Sequence, residues 1–320
     1  MQLSEFELIR KYFSKSTNRT TPEIICGIGD DAAVVSVPHG VELVVSMDTL
    51  ISGIHFPITS SPQDIGYKAL AVNLSDMAAM GAEPRWITLA LTMPENDETW
   101  LEKFMQGFNE LVQQFSLDLI GGDLTCGPLS ITIQIHGFNL TGKSIYRHGA
   151  QTGDLIYVSG TLGDAGFALS LLEDQSLLKN KYHEYLLQRL NRPVPRIDLG
   201  LALRDIASSA IDISDGLLAD LGHILTASRK GATVMVNQLP LSAALKEYKT
   251  ENVLDIVLAS GDDYELCFTV PPERRLNIDE IDPGDCQLSY IGNITDKPGI
   301  QWLQADNKEY SPSARAYSHF

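Results

Sequence analysis

Apolar residues recur with two different periods along the chain, and the changes of period predict interleaved helices and strands. Helical spacing predicts helices at 3–13, 61–81, 97–114, 163–172 and 217–229, and two helices within 184–207 that are broken at 192–195. Alternation and short apolar runs predict strands at 32–37, 41–47, 86–93, 117–120, 131–135, 154–159, 210–213, 233–236, 265–270 and 288–291. Both halves mix the two kinds of element, which indicates an α/β or α+β pair of domains.

The length of the chain favours the same organisation. A chain of 320 residues is longer than one typical domain. The polar, glycine-containing segment 142–153 is the best candidate boundary, which predicts domains at 1–149 and 150–320. No run of about 18 apolar residues occurs, and the first residues lack a secretion signal, so we expect a cytoplasmic protein with no membrane partner.

Charge and cysteine content narrow the class of function. The 41 acidic residues outnumber the 24 basic ones, giving a net charge of -17, which disfavours nucleic acid as a partner. An excess of acidic residues can serve solubility alone. It is also typical of a protein with a site that gathers divalent ions around a phosphate. The four cysteines are widely spaced and form no Cys-x-x-Cys pair, so neither structural zinc nor a disulfide framework is expected.

One string matches a phosphate-binding motif but lacks the necessary context. Residues 137–144 satisfy the pattern G-x-x-x-x-G-K-S of the P-loop. That loop binds phosphate because a helix begins directly after it, and residues 145–153 contain two glycines and little room for a helix. A strand, a turn at 141–143 and a returning strand are the better interpretation.

Short acidic segments recur at the predicted ends of apolar runs. The first is Gly27-Ile28-Gly29-Asp30-Asp31, and the others contain Asp48, Asp76, Asp123, Asp212 with Asp215, and Asp262 with Asp263. Each aspartate alone is most often a cap or turn residue. Together, carboxylates at several strand ends predict a site for more than one Mg²⁺ ion, and such a site suits phosphoryl transfer.

These segments, in this order, resemble the thiamine monophosphate kinase family of the aminoimidazole ribonucleotide synthetase-like superfamily. The resemblance runs over nearly the whole chain and rests on 27–33, 46–56, 68–82, 120–123, 213–217 and 261–266. It implies a two-domain fold, α/β followed by α+β, with a homodimer formed through the N-terminal strands and an active site in the cleft between the domains. It also implies direct in-line transfer of phosphate from ATP to thiamine monophosphate on several Mg²⁺ ions, and it leaves open whether K⁺ assists.

The resemblance also implies roles for individual residues. Metal would be held by Asp30, Ser46, Met47, Asp48, Asp76, Asp123, Asp212 and Asp215. ATP would be contacted by Gly122, Asp123, Arg147 and Ser214, and thiamine monophosphate by His55, Asp262 and Tyr317. The family usually has Thr where Met47 stands, so a metal contact there would come from the main-chain carbonyl, and it usually has Glu where Asp262 stands.

No residue is expected to act as a general base. A phosphate monoester has a second pKa near 6 and is already largely deprotonated at pH 7. Two alternatives remain open at this point: another ATP-using enzyme of the same superfamily, and a non-catalytic nucleotide or metal sensor. His55 has the alternative of a loop histidine that caps a backbone carbonyl.

Overall fold

The computed structural model describes residues 3–14, 21–173, 179, 181–248 and 253–313. It contains two compact units. Residues 1–77 and 82–142 form the first unit, and residues 78–81 and 143–320 form the second.

A four-stranded sheet is the framework of the first unit. Its strand order is β3-β6-β4-β5, in which β4 and β5 run parallel and the other neighbours run antiparallel. A separate hairpin of β1 and β2 packs against Trp86, Ile120 and Phe138 through Ile24 and Val35. The strands are β1 (Ile24–Cys26), β2 (Val34–Val35), β3 (Val41–Ile51), β4 (Glu83–Met93), β5 (Asp118–Cys126) and β6 (Ser130–Leu140).

Three helices complete the first unit: α1 (Glu5–Leu8), which continues as a π-helical turn (Ile9–Phe13), α2 (Pro62–Ala79) and α3 (Glu98–Gln114). Ser61 and Pro62 begin α2, because the Ser61 hydroxyl accepts the Asp64 N–H at 3.1 Å and proline suits the first helical position. Asp97 caps α3 by accepting the N–H groups of Thr99 and Trp100. These local signals explain why both helices begin where the sequence predicts.

The two faces of the sheet have different environments. From Leu43 to Ile51 of β3, the odd-numbered side chains are exposed and the even-numbered ones face the interior. Ile133 and Leu89 continue the interior face across β6 and β4 and are buried. On the opposite face Thr49 and Thr132 touch through their hydroxyl oxygens at 2.8 Å. The side of the strand on which a residue falls therefore decides whether it faces the core.

The second unit is built on a seven-stranded sheet of order β13-β12-β9-β11-β7-β10-β8. All neighbours are antiparallel except β12 and β9, which are parallel. The strands are β7 (Leu155–Ser159), β8 (Ser209–Asp212), β9 (Gly231–Met235), β10 (Leu266–Val270), β11 (Leu288–Thr295), β12 (Gly299–Leu303) and β13 (Glu309–Tyr310). The helices are α4 (Asp164–Glu173), α5 (His183–Asn191), α6 (Ile197–Ala202), α7 (Leu217–Ser228), α8 (Ala243–Glu247), α9 (Val253–Ala259) and α10 (Arg275–Glu280).

Most predicted elements are confirmed, and three aspartates are placed differently from the prediction. β3 and β5 continue past their predicted ends, so Asp48 and Asp123 lie within strands. Asp76 lies inside α2, in agreement with the helix predicted at 61–81 and not with an acidic turn at the end of an apolar run. The prediction that these acids sit in turns was wrong, because both strands keep their pairing to β6 or β4 beyond the polar residue.

The rejection of the P-loop is confirmed. Residues 137–140 belong to β6, and residues 143–154, all of which the structure describes, contain no helix. The returning strand expected after the turn was wrong, since these residues contain no strand either. Within the described ranges, no helix is long and apolar enough to cross a membrane, and the cytoplasmic location stays a prediction.

Helices α2 and α3 cross at a pair of glycines, which gives a test of the packing of the first unit. A Cβ on Gly107 would lie 1.8 Å from the Gln63 carbonyl oxygen, and one on Gly66 would lie 2.0 Å from that of Phe104. We expect Gly107→Ala to lower the melting temperature by several degrees. Overpacking costs about 1–3 kcal/mol, and each kcal/mol corresponds to roughly 2–4 °C at this size.

Gly222→Ala is the matched control. Gly222 is also a helical glycine, in α7, and a Cβ there would meet nothing within 4 Å. It should leave the melting temperature unchanged or raise it, because alanine favours helix. Equal effects of the two substitutions would contradict the close helix crossing.

Candidate active site

Ser46, Asp48 and Asp76 come together on the interior face of the first unit. Ser46 and Asp48 are two residues apart on β3 and share the face that α2 covers. The Ser46 hydroxyl donates a hydrogen bond to the Asp76 carboxylate from α2. The Asp48 N–H donates to the side-chain oxygen of Asn73 at 3.2 Å, and Asn73 is itself buried and donates to the Ala69 carbonyl. The cluster is thus fixed by one strand and one helix.

The electrostatics of this cluster favour a cation. Burial, and after it the negative charge of Asp76 and a hydrogen bond with Asp76, together raise the pKa of the Asp48 carboxyl to about 7. Two carboxylates so close are costly when both are ionised. Two carboxylates and a hydroxyl are also the hard oxygen donors that Mg²⁺ prefers, so these residues fit such an ion.

Met47 lies between these residues in sequence but on the other face. Its side chain is 60% exposed, as expected for an odd-numbered position of β3. The thioether therefore points away from Ser46 and Asp48. The main-chain carbonyl is the group of Met47 that remains for the predicted metal contact.

Gly122 and Asp123 are not brought together with the Asp48 cluster within the sheet of the first unit. Asp123 pairs with Ala90 of β4, Ala90 pairs with Thr132 of β6, and Thr132 pairs with Thr49 of β3. All four side chains lie on the exposed face of the sheet. Its strand, β5, forms the opposite edge of the sheet from β3. The edges are separated by three strand spacings, about 14 Å along the sheet. Gly122 has a φ of 153° and approaches β4 so closely that a Cβ would lie 1.9 Å from the Leu89 carbonyl oxygen.

Asp30 lies in the loop of the β1–β2 hairpin. Its carboxylate accepts the Asp31 N–H at 2.9 Å, and both aspartates are exposed. Gly29 has a φ of 123°, which a glycine adopts readily. A Cβ on Gly27 would be 3.8 Å from the carbonyl oxygen of Ile120, so the start of this loop lies beside β5 two residues before Gly122.

His55 follows β3 in a tight loop. Its Nδ1 accepts the Ile51 N–H at 3.0 Å, and the Ile54 and His55 N–H groups both donate to the Ile51 carbonyl. Because Nδ1 is an acceptor, the neutral ring carries its proton on Nε2. His55 thus binds a backbone N–H through one nitrogen, and Nε2–H is the donor that it would offer to a substrate.

In the second unit, Asp212, Ser214 and Asp215 surround the junction of β8 and α7. Asp212 is the last residue of β8 and is buried. Gly216, with a φ of 106°, precedes α7 and lets the chain reverse. This short connection, residues 213–216, is hereafter the β8–α7 loop.

Asp220 is a residue of this region that sequence reasoning missed. Its buried carboxylate accepts the Asp215 N–H at 3.1 Å, and the backbone N–H groups of Ser214 and Gly216 also bind it. Burial and then the charge of Asp215 raise the pKa of Asp220 to about 7. Ligand atoms of Asp215, Asp220 and His223 lie within 4.8 Å of one another, close enough for the three to share one metal ion. An aspartate in the first turn of an otherwise apolar helix was the available signal.

The predicted ATP contact Arg147 is exposed, in a segment beside β8. The Tyr146 carbonyl accepts the Ala210 N–H at 3.1 Å, and the Ser228 hydroxyl accepts the N–H groups of Gly149 and Ala150 at 3.2 Å each. The backbone around Arg147 is therefore fixed to the strand that ends at Asp212 and to the end of α7.

Asp262 lies directly against the β8–α7 loop. Its N–H donates to the Ser214 carbonyl at 2.8 Å, and the Tyr264 N–H donates to the Ile213 carbonyl at 2.8 Å. The second unit therefore brings Asp212, Ser214, Asp215 and Asp262 together, and their assigned roles stay predictions. Tyr317, the third predicted substrate contact, lies outside the described residues.

Family models match both units. The model for AIR synthase related protein, N-terminal domain, matches residues 29–138, and that for the C-terminal domain matches residues 151–302. Thiamine-monophosphate kinase of Escherichia coli (strain K12) is 45% identical over 325 residues, covering 100% of this chain and 99% of the relative.

Solved structures agree with this similarity. Thiamine-monophosphate kinase from Stenotrophomonas maltophilia K279a has a TM-score of 0.87 and 45% identity, over 97% of this chain and 99% of that one. AaThiL complexed with AMPPCP and TMP has a TM-score of 0.78 and 31% identity, over 100% and 99% of the two chains. The chain therefore belongs to the thiamine-monophosphate kinase family of AIR synthase-related proteins.

Proposed function

We propose that this protein transfers the γ-phosphoryl group of ATP to thiamine monophosphate, giving ADP and thiamine diphosphate. The observation that carries the proposal is the full-length similarity to AaThiL, which is complexed with AMPPCP and TMP. The oxygen of the acceptor phosphate attacks the γ-phosphorus, and the bond from that phosphorus to the β–γ bridging oxygen breaks. Since the acceptor is already deprotonated at pH 7, the reaction needs no general base.

Mg²⁺ ions belong to this proposal, and when bound they would offset the charges of ATP and the acceptor phosphate. The cluster of Ser46, Asp48 and Asp76 supports it, since two carboxylates and a hydroxyl lie together where burial, and then the charge of Asp76, raises the pKa of Asp48. The assigned ligands are Asp30, Ser46, the Met47 carbonyl, Asp48, Asp76 and Asp123 in the first unit and Asp212 and Asp215 in the second. That several Mg²⁺ ions bind stays a prediction.

The remaining assigned residues position the two substrates. Arg147, Ser214 and Gly122 contact ATP in this proposal, and a guanidinium, a hydroxyl and a backbone N–H are all suitable donors to phosphate. His55 offers Nε2–H to thiamine monophosphate, because its Nδ1 is already occupied by the Ile51 N–H. Asp262 contacts the same substrate with a carboxylate one methylene shorter than the family's usual Glu.

We also propose a homodimer formed through the first unit. The exposed side chains of Leu43, Val45, Met47 and Ile51 form an apolar stripe along β3, an edge strand. Several exposed apolar side chains along an edge strand are a liability that another chain would cover. A second copy of this chain is the occupant that the family resemblance implies.

The first prediction from this proposal concerns the assigned metal ligands. Asp30→Asn and Asp76→Asn should each lower the turnover of ATP and thiamine monophosphate to thiamine diphosphate by at least about 10²-fold, the usual scale for loss of charge stabilisation. Asp31→Asn is the matched control, because Asp31 is the exposed neighbour of Asp30 and has no assigned ligand role. Near wild-type turnover of either test variant would contradict the assignment of Asp30 and Asp76 as metal ligands. A wild-type protein that forms no thiamine diphosphate would contradict the proposed function.

The second prediction concerns the pH dependence of stability without metal. The Asp48 pKa is about 7 in the folded protein, against 3.8 for the free group. Between these pH values the folded state binds more protons than the unfolded chain. The Asp48 contribution to stability therefore falls as pH rises from about 4 to 7, and its full cost is present above 7.

In chelator at pH 8, Asp48→Asn should accordingly melt at a higher temperature than the wild type, and the difference should shrink at pH 5. Adding Mg²⁺ at pH 8 should raise the melting temperature of the wild type more than that of the variant, because the ion binds the folded state through Asp48. Equal Mg²⁺ shifts in both proteins would contradict a metal site at Asp48.

The third prediction concerns assembly. Light scattering should give the wild type a mass of about twice 35.1 kDa, and Val45→Glu should shift it toward the monomer by placing charge on the apolar stripe. Leu276→Glu is the matched control, since Leu276 is 73% exposed but lies on α10 of the second unit. A monomeric wild type, or a Val45→Glu protein that stays dimeric, would refute the assigned interface.

A further inference from the structure

The segment 261–265, which carries Asp262, has an unusual backbone. Asp262 and Tyr264 have φ values of 65° and 51°, in the left-handed region that side chains other than glycine rarely occupy. Such a conformation persists only where surrounding contacts impose it. The contacts that do so here identify residues with a role beyond those assigned above.

Three backbone hydrogen bonds bind this segment to the β8–α7 loop. Besides the two from Asp262 and Tyr264, the Ile213 N–H donates to the Glu265 carbonyl at 2.7 Å. Gly261 packs so closely that a Cβ would lie 2.3 Å from the Ser214 carbonyl oxygen. The segment that presents Asp262 and the loop that presents Ser214 and Asp215 are therefore one connected structure.

Side chains alternate along the segment. Asp263 and Glu265 are buried, whereas Asp262 and Tyr264 are half-buried. Asp263 accepts the Gly163 N–H through both carboxylate oxygens, at 3.0 and 2.9 Å. The two buried acids are thus the anchors of the segment, and Asp262 is the side chain presented between Gly261 and the first anchor.

Glu265 is held by two arginines. Arg196 donates to both of its carboxylate oxygens, from Nε at 2.7 Å and from Nη2 at 2.6 Å, in the paired geometry that only arginine provides. Arg189 adds a bond from Nη2 at 3.1 Å, and the Ser159 hydroxyl adds one at 2.6 Å. Gly160 leaves the space for this carboxylate, because a Cβ there would be 2.1 Å from its Oε1.

We propose that Arg196 is a positioning residue for the phosphoryl acceptor: by clamping Glu265 it holds the strained segment 261–265 against the β8–α7 loop and so fixes Asp262. Arg196 itself touches no substrate in this account. The inference rests on the proposed function, since Asp262 is there the contact to thiamine monophosphate. Arg189 acts in the same way through a single, longer hydrogen bond.

The test is a double-mutant cycle between Arg196→Lys and Asp262→Ala, read as kcat and KM for thiamine monophosphate. Lysine keeps the charge but not the paired donors. We expect Arg196→Lys to lower kcat/KM about tenfold, mainly through a higher KM, since a misplaced contact costs of this order or more. In the Asp262→Ala background the same substitution should change kcat/KM by less than about twofold, because coupled residues are not additive.

The melting temperatures of the variants and a control substitution distinguish a positioning role of Arg196 from a general loss of stability. Arg204→Lys is the matched control, because Arg204 is also half-buried in the second unit but its Nε donates to the Gly81 carbonyl. It should leave kcat/KM unchanged. Should Arg196→Lys fail to fold, Arg189→Lys replaces it in the cycle, with the same direction and a smaller effect.

An equal loss in both backgrounds would overturn the proposal, because Arg196 would then act independently of Asp262. It is overturned also by an Asp262→Ala protein with wild-type kinetics. Failure of the proposed function is a separate result, seen as a wild-type protein that forms no thiamine diphosphate.

Discussion

The burial of the Asp48 carboxylate beside that of Asp76 is the constraint on which the proposed site of the first unit depends. Strand β3 and helix α2 bring the two carboxylates together with the Ser46 hydroxyl on a largely buried face. A folded chain that only needed stability would avoid this arrangement, because buried like charges are costly. The arrangement is explained if a divalent cation completes it, and family membership makes phosphoryl transfer the chemistry that such an ion serves.

In the second unit, polar groups extend from the β8–α7 loop and from the segment 261–265. Buried charge pairs hold these two segments in place. Three backbone hydrogen bonds connect the loops, and Glu265 receives four side-chain hydrogen bonds, three of them from Arg189 and Arg196. The left-handed residues Asp262 and Tyr264 lie within the segment that these anchors hold. Asp262 therefore extends from a segment whose two buried acids, Asp263 and Glu265, are held by hydrogen bonds.

The sequence predicted the helices and strands well where the signal was local. Ser61-Pro62 and Asp97 begin helices for reasons that are visible in the sequence. Alternation at 131–135 identified β6, a strand of the four-stranded sheet. The P-loop string was rejected on the same kind of local argument. The ends of β3 and β5 were predicted too early, because a polar residue inside a strand looks like the beginning of a turn unless its pairing partner is known.

Contacts distant in sequence could not be predicted in this way. Asp76 lies within the helix predicted at 61–81, but only the packing of α2 on the sheet places it beside Ser46. The separation of Asp123 from Asp48 follows from strand order, which periodicity does not determine. Asp220 and the arginine clamp on Glu265 were missed, since an isolated acid or arginine carries no signal until its partners are located.

The most direct test of the central claim is the anomalous diffraction of Mn²⁺, as a substitute for Mg²⁺, in crystals grown with AMPPCP. The account predicts a manganese peak at bonding distance, roughly 2.2 Å, from carboxylate oxygens of both Asp48 and Asp76. Peaks confined to the nucleotide phosphates, with none at these two carboxylates, would contradict it.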